Sequence, residues 1–124
     1  MKVSAEETLG ILDIDRALSR VGGDLDFLRE LVGIFQAACP ALLDNTREAV
    51  ACGDVHAVER TAHLFKAAAD SVSATKIYDA ALQLERMAQV GRLQRAPEAC
   101  QSLERELALL SPRLAAFENA LWSA

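Results

Sequence analysis

His63 and Lys66 are the two side chains whose types and spacing could support chemistry in this sequence. They stand three positions apart in the segment AHLFKAAADS at residues 62–71. Successive helical residues are about 100° apart, so Ala62 and Phe65 share one face while His63 lies off it. The surrounding alanines are too small to cover the ring. The pattern predicts an imidazole that solvent can reach, with an ammonium group one turn away. A surface histidine without a role would show the same pattern.

A second arrangement of histidines has the spacing of metal ligands. His56, Glu59 and His63 recur at intervals of three and four on one helix face. A metal site in a helical bundle draws further ligands from facing helices, and those ligands point inward. Here the facing core positions are apolar and the row points outward. We therefore expect no metal site and interpret His56 as a surface histidine.

The composition excludes several classes of function. The 124 residues suit one domain, and a net charge of −5 argues against nucleic-acid binding. No apolar run approaches the roughly 20 residues of a membrane span, and MKVSAEETLG lacks the apolar core of a secretory signal. Cys39, Cys52 and Cys100 form no CxxC pair and are predicted to be reduced thiols packed like small apolar residues. We expect a single cytoplasmic domain over residues 1–124, with residues 1–9 flexible and no contact with membranes.

Four long helical stretches are predicted to position these side chains. Breaks are expected at GGD (22–24), CGD (52–54), SVS (71–73) and VGR (90–92), and a short helix from Asp13, its cap, to Arg20 precedes them. Apolar residues recur every three or four positions, as in helices that share a core. The predicted core positions are Leu28, Val32, Phe35, Cys39, Leu42 and Ala49; Val55, Val58, Ala62, Phe65, Ala69 and Val72; Ile77, Ala80, Leu84 and Met87, with Ala81 and Ala88 beside them; and Cys100, Leu103, Leu107, Leu110, Leu114, Phe117 and Leu121.

The predicted fold is all-α, and its short connections make neighbouring helices antiparallel. It is an up-and-down antiparallel four-helix bundle with a short extra N-terminal helix. Pro40 and Pro112 fall inside periodic stretches. The unbroken apolar pattern around Pro112 favours a kinked, continuous helix, and Pro97 fits the first turn of that helix.

The segment AHLFKAAADSVSA resembles the motif of histidine phosphotransfer (HPt) domains, roughly A-H-x-L-K-G-x-A/S-x-x-x-G-A. LDIDRALSRVGGDLDFLRELVGIF is similar to the family's short N-terminal helix, GGD turn and first long helix. PALLDNTREAVACGDVHAVERTAH resembles the stretch that leads into its phosphorylated helix, and LQLERMAQVGR resembles its third long helix. The resemblance covers about residues 10–92, and the last helix matches only in its apolar periodicity.

The resemblance implies a phosphoryl carrier of a two-component phosphorelay, without an ATP site of its own. His63 would accept a phosphoryl group from the aspartyl phosphate of a receiver domain and pass it to another receiver. The Nε2 lone pair would attack phosphorus in line, and Lys66 would stabilise charge on the phosphoryl oxygens. The partners would be receiver domains of response regulators and hybrid histidine kinases. No cofactor is expected on this chain, since Mg²⁺ belongs to the receiver.

Three residues replace glycines of the family motif. Ala67 stands four positions after His63 and, being small, is expected to preserve access to the ring; the others are Asp70 and Ser73, and Ser73 is predicted to cap the third long helix. Glu85 falls where family members often carry a polar side chain that bonds the ring. It either orients the imidazole through Nδ1–H or faces solvent. Gln89, one turn further on, is a candidate for reaching the phosphoryl group.

A second apolar row on the first long stretch predicts either packing on a neighbouring helix or a docking surface for the receiver. Its members, and the other residues predicted to contact a partner, are Leu31, Ile34, Ala38 and Ala41, with Glu59, Leu64 and Asp70 near the histidine. Two alternatives remain open. One is an unphosphorylated adaptor that binds a receiver or kinase through the same face. The other is a structural bundle that dimerises through this row, whereas the carrier is expected to be a monomer.

Overall fold

The computed structural model describes the backbone of residues 14–123 and the side chains of residues 15–116. It contains α1 (Ile14–Arg20), α2 (Leu25–Cys52), α3 (Val55–Ser71), α4 (Thr75–Gln89) and α5 (Ala96–Ser123). The four predicted breaks all fall at the junctions between these helices. The predicted flexibility of residues 1–9 and the predicted cap Asp13 lie outside the described residues. The predicted core side chains Phe117 and Leu121 lie outside the described side chains.

The four long helices form an antiparallel ring in which each packs on two neighbours. Helix α2 contacts α3 and α5, helix α4 contacts the same two, and α1 lies against α2. The connections at residues 53–54, 72–74 and 90–95 are too short for anything but a reversal of direction. The predicted all-α, up-and-down four-helix bundle with a short N-terminal helix is thus confirmed.

Aspartates define where α2 and α3 begin. Asp24 and Asp54 lie immediately before the two helices, and each carboxylate accepts a hydrogen bond from the backbone N–H three residues later, at Phe27 and Ala57. These bonds satisfy amides that have no partner within the helix. Gly53 ends α2 in the left-handed conformation, with φ 66°, which glycine adopts without steric cost. The turn before the histidine-bearing helix is therefore determined locally.

Both prolines lie within continuous helices. Helix α2 runs through Pro40 and α5 runs through Pro112. The continuous helix predicted across Pro112 is confirmed, and Pro97 lies in the first turn of α5 as predicted. In that turn the missing amide proton costs nothing, because the first helical amides have no intrahelical partner.

The predicted core is confirmed in α2, α3 and α5, apart from the half-buried Leu42 and Val55, and is displaced in α4. Of the predicted stripe Ile77, Ala80, Leu84 and Met87, the first and third residues are fully buried, whereas Ala80 and Met87 are only half-buried. The fully buried row is instead Ile77, Ala81, Leu84 and Ala88. This rotation turns Glu85 inward, where it is 5% exposed.

Thr46 of α2 is buried, although it is polar and is not among the predicted core positions. The Thr46 hydroxyl donates to the Leu42 carbonyl at 2.7 Å, so its own helix satisfies it.

All three cysteines are free thiols as predicted, and the predicted packing among apolar residues holds for two of them. Cys39 and Cys100 are buried thiols, and burial raises the pKa of Cys39 to about 11, so this thiol stays protonated and unreactive. The prediction is wrong for Cys52, which is exposed because it is the last residue of α2.

Ser73 does not cap α4, contrary to the prediction. The cap position belongs to Ala74, which makes no side-chain hydrogen bond to the helix. Ser73 instead has φ 55°, and its buried hydroxyl has no hydrogen-bond partner. A left-handed backbone is costly for a residue with a Cβ, and a buried hydroxyl without a partner adds a desolvation cost. Ser73 therefore adopts a left-handed backbone conformation that glycine would adopt at lower cost.

We expect Ser73→Gly to raise the free energy of unfolding by about 1 kcal/mol. Relief of the left-handed strain and loss of the unpaired hydroxyl outweigh the greater flexibility of the unfolded glycine chain. Urea denaturation followed by circular dichroism measures the change. Ser71→Gly is the matched control: Ser71 is the last residue of α3 and does not have a positive φ, so a glycine there relieves no strain and should not stabilise the protein. Destabilisation by Ser73→Gly would contradict this account of the turn.

Candidate functional site

His63 projects from the middle of α3 away from the core. Its neighbours Ala62 and Phe65 are 0% exposed, whereas the His63 side chain is 63% exposed. The helical repeat requires this, because one step of about 100° past Ala62 turns a side chain out of the core. The predicted accessibility of the imidazole is confirmed.

The buried carboxylate of Glu85, on α4, accepts hydrogen bonds from both His63 and Lys66 of α3. The Nδ1–H of His63 donates to Oε2 of Glu85 at 2.9 Å, and Nζ of Lys66 donates to Oε1 at 2.8 Å. A carboxylate only accepts, so the proton of this bond resides on Nδ1 and the neutral ring keeps its lone pair on Nε2. The arrangement is the ring-orienting alternative predicted for Glu85, and the solvent-facing alternative is wrong.

The charges of this cluster stabilise one another. Burial by itself raises the pKa of Glu85, but the hydrogen bonds from Lys66 and His63 outweigh burial and hold that pKa below its ordinary value of 4.5. The bond to Glu85 raises the pKa of Lys66, against a smaller opposing effect of desolvation. At neutral pH the site therefore contains a carboxylate and an ammonium ion in contact, with the imidazole on the second carboxylate oxygen.

The stability that Glu85 contributes is expected to depend on pH. Because its pKa is lower in the folded than in the unfolded chain, the contribution is present above about pH 4.5 and is lost as pH falls through the folded value. Wild type and Glu85→Gln should thus differ most in unfolding free energy near neutral pH, and the difference should shrink in acid. Urea titrations at a series of pH values measure it, and a difference independent of pH would contradict the assignment.

An open cleft of about 660 Å³ lies beside the ring, between α3 and α4. It is lined by the following residues: His56, Glu59, Arg60, His63, Leu64, Glu85 and Gln89. Sequence reasoning did not select Arg60. Arg60 precedes His63 by three residues and so lies about one helical turn from it on a neighbouring face. This spacing is the feature of the sequence that could have identified Arg60 as a neighbour of the ring. The predicted residues Glu59, Leu64 and Gln89 are brought together with the histidine here.

Two further predictions concern the immediate surroundings of the ring. Ala67 is exposed and places only a methyl group one turn beyond His63, so it leaves room for a partner to approach. Leu64 is 56% exposed and adds apolar surface next to the ring.

The predicted docking row on α2 is divided by the structure. Ile34 is 66% exposed and Ala41 is exposed, whereas Leu31 is half-buried and packs against the core, and Ala38 is half-buried. None of these four lines the cleft, which α3 and α4 form. Ile34 is therefore the large apolar side chain of this row that a partner could reach.

Asp70 already has a partner within the chain. Its carboxylate accepts from the Arg20 guanidinium at 3.1 and 3.2 Å, which ties the end of α1 to α3. Both side chains remain nearly half exposed, so the ion pair contributes little to stability. Contact of Asp70 with a partner protein stays a prediction.

Among residues 15–116, whose side chains are described, no cluster of three or more His, Cys, Asp or Glu is arranged to hold a metal ion. Within the same part of the chain, no helix combines the length and apolarity needed to cross a membrane.

An antiparallel helical bundle that presents an accessible imidazole, oriented by a buried carboxylate, has the architecture of a histidine phosphotransfer protein. The family model for the Hpt domain matches residues 30–113. The chain belongs to the Hpt domain family, the histidine phosphotransfer domains of phosphorelays.

A solved structure is similar over most of its length. It is the crystal structure of histidine-containing phosphotransfer protein B (HptB) from Pseudomonas aeruginosa PAO1, with a TM-score of 0.78 and 27% sequence identity, over 86% of this chain and 93% of that one. A search of the curated proteins returned no match.

Proposed function

We propose that His63 is the residue that carries the phosphoryl group. The observation that supports it is the 2.9 Å bond from Nδ1–H to the buried Glu85, on a ring that is 63% exposed. This bond leaves the nucleophilic lone pair on Nε2, the nitrogen that a second protein can approach. The other histidine, His56, has no such orienting bond among the described contacts.

The transfer needs little beyond positioning and charge. The Nε2 lone pair attacks phosphorus of a receiver's aspartyl phosphate in line, and the negative charge of the loose transition state lies on the phosphoryl oxygens. Lys66 has three N–H donors and gives one to Glu85, so it can direct others toward those oxygens. Glu85 itself does not touch the phosphoryl group and acts as a positioning residue. The receiver supplies Mg²⁺ and its own carboxylates, which are distinct from Glu85.

The surroundings of the ring support an encounter with another protein. Leu64 provides apolar area beside the imidazole, and Ala67 provides space. Gln89 and Glu59 line the cleft, where Gln89 can donate to a phosphoryl oxygen and Glu59 can contact a partner. Outside the cleft, Ile34 is an exposed apolar side chain of α2, with smaller exposed areas on Leu31 and Ala38. We infer that receiver domains dock on this side of a monomeric, cytoplasmic carrier that binds no nucleotide.

Transfer from a purified receiver domain labelled with radioactive phosphate tests this function. The chain should acquire a label that is labile in acid and stable in base, as expected of phosphohistidine. Peptide mapping should place the label at His63. Absence of label with the organism's complete set of receivers, or a label at His56, would contradict the proposal. Binding of a receiver without transfer would instead indicate an adaptor.

A further inference from the structure

Phosphorylation at Nε2 changes the charge of the His63 ring, whereas the nitrogen that contacts Glu85 is Nδ1. When the Nε2 lone pair bonds to phosphorus, the P–O bond to the receiver's aspartate breaks and its electron pair leaves with the aspartate as carboxylate. No proton moves in this step. The product is a phosphoimidazolium ring that still carries the Nδ1 proton, and it has gained one positive charge at the position where Glu85 Oε2 accepts.

The fate of the Nδ1 proton decides how easily the phosphoryl group leaves again. With the proton present, cleavage of the P–Nε2 bond returns the electron pair to a neutral imidazole. Without it, the leaving group would be an imidazolate anion, which is far poorer. A carboxylate in contact with Nδ1–H therefore favours the reactive form of the phosphorylated ring.

We propose that Glu85 keeps the Nδ1 proton on phosphorylated His63 at neutral pH and thereby keeps the phosphoryl group transferable. The inference rests on the proposed function of His63. It assigns Glu85 a role in the phosphorylated state, in addition to orienting the free ring. The 5% exposure of Glu85 strengthens its attraction for the ring, because little water competes for the carboxylate.

The other charged groups around the ring do not cancel this effect. Lys66 binds the opposite carboxylate oxygen, Oε1, so it does not displace the imidazole from Oε2. On α3 the cleft also contains His56, Glu59 and Arg60, whose side chains make no described contact with Nδ1. The facing helix α4 contributes Glu85 and the uncharged Gln89 to the cleft. Glu85 is therefore the group in direct contact with the titrating nitrogen.

Loss of phosphate from the isolated phosphoprotein tests the inference. The chain is phosphorylated with phosphoramidate, freed of the reagent, and followed by phosphorus NMR over a range of pH. At about pH 8, phosphohistidine in Glu85→Gln should persist roughly tenfold longer than in wild type, since a ring one pH unit past its titration midpoint is only about one-tenth protonated, whereas the wild-type ring keeps its proton. In acid, where both rings are protonated, the two rates should converge.

Asp79→Asn is the matched control, because it removes the same charge from α4. Asp79 is exposed and lies six residues before Glu85, about 9 Å away along the helix. Its rate profile should coincide with that of wild type. Coincident profiles for wild type and Glu85→Gln, or an equal shift in Asp79→Asn, would overturn the inference.

Nitrogen NMR of the phosphorylated wild-type ring provides a measurement that needs no variant. Nδ1 should still carry its proton at about pH 8, and an unprotonated Nδ1 would overturn the inference even if Glu85→Gln failed to fold. These outcomes leave the proposed function intact, because they require a phosphorylated His63. Failure of wild type to acquire phosphate at His63 from any receiver would instead remove the proposed function, and this inference with it.

Discussion

Replacement of His63 by glutamine should abolish phosphoryl transfer to this chain while leaving the bundle folded. Glutamine has a similar length but its amide nitrogen has no available lone pair, so no P–N bond can form. The side chain at this position is 63% exposed, and the substitution therefore creates no cavity in the core. The measurement is label transferred from a phosphorylated receiver, together with the unfolding free energy of the variant.

The second histidine supplies the control for this experiment. His56 lies on the same helix, seven residues earlier, and is exposed. His56→Gln removes the same chemical group and should leave the label at His63. Residual acid-labile label on His63→Gln would show that another residue is the acceptor. Equal losses in the two variants would show that the effect is not specific to the ring held by Glu85.

Truncation of Phe65 should cause the largest loss of stability among the substitutions discussed. Its side chain is 0% exposed and belongs to the main core cluster that α2, α4 and α5 share with α3. Phe65→Ala removes this buried area and leaves a cavity, which costs roughly 3–5 kcal/mol. That is a large part of the roughly 5–15 kcal/mol that stabilises an ordinary domain. Chemical denaturation of the purified variant measures the change.

The preceding residue gives a matched comparison. Leu64 is 56% exposed, so Leu64→Ala should change the unfolding free energy by no more than about 0.5 kcal/mol. The two neighbours would thus differ several-fold in their effect although both are large and apolar. Similar losses for both variants would contradict the orientation of α3, and with it the exposure of His63.

The fold and the outward direction of His63 could be predicted because they depend on local features. Apolar spacing identifies the buried face of α3, and His63 follows Ala62 by one helical step. Asp24, Asp54 and Gly53 mark helix ends through bonds to residues only a few positions away. The same local reasoning failed at Ser73, because a serine can be forced into a left-handed turn by the helices on either side.

The sequence by itself thus determined the helices, their buried faces and the accessible imidazole. Only the tertiary structure decided that Glu85 is buried and binds both His63 and Lys66, across 22 and 19 positions of sequence. The physical reason is that periodicity specifies which face of a helix is apolar but not how that helix is rotated against its neighbour. Packing of Ile77, Ala81, Leu84 and Ala88 set that rotation in α4 and brought a carboxylate to the ring.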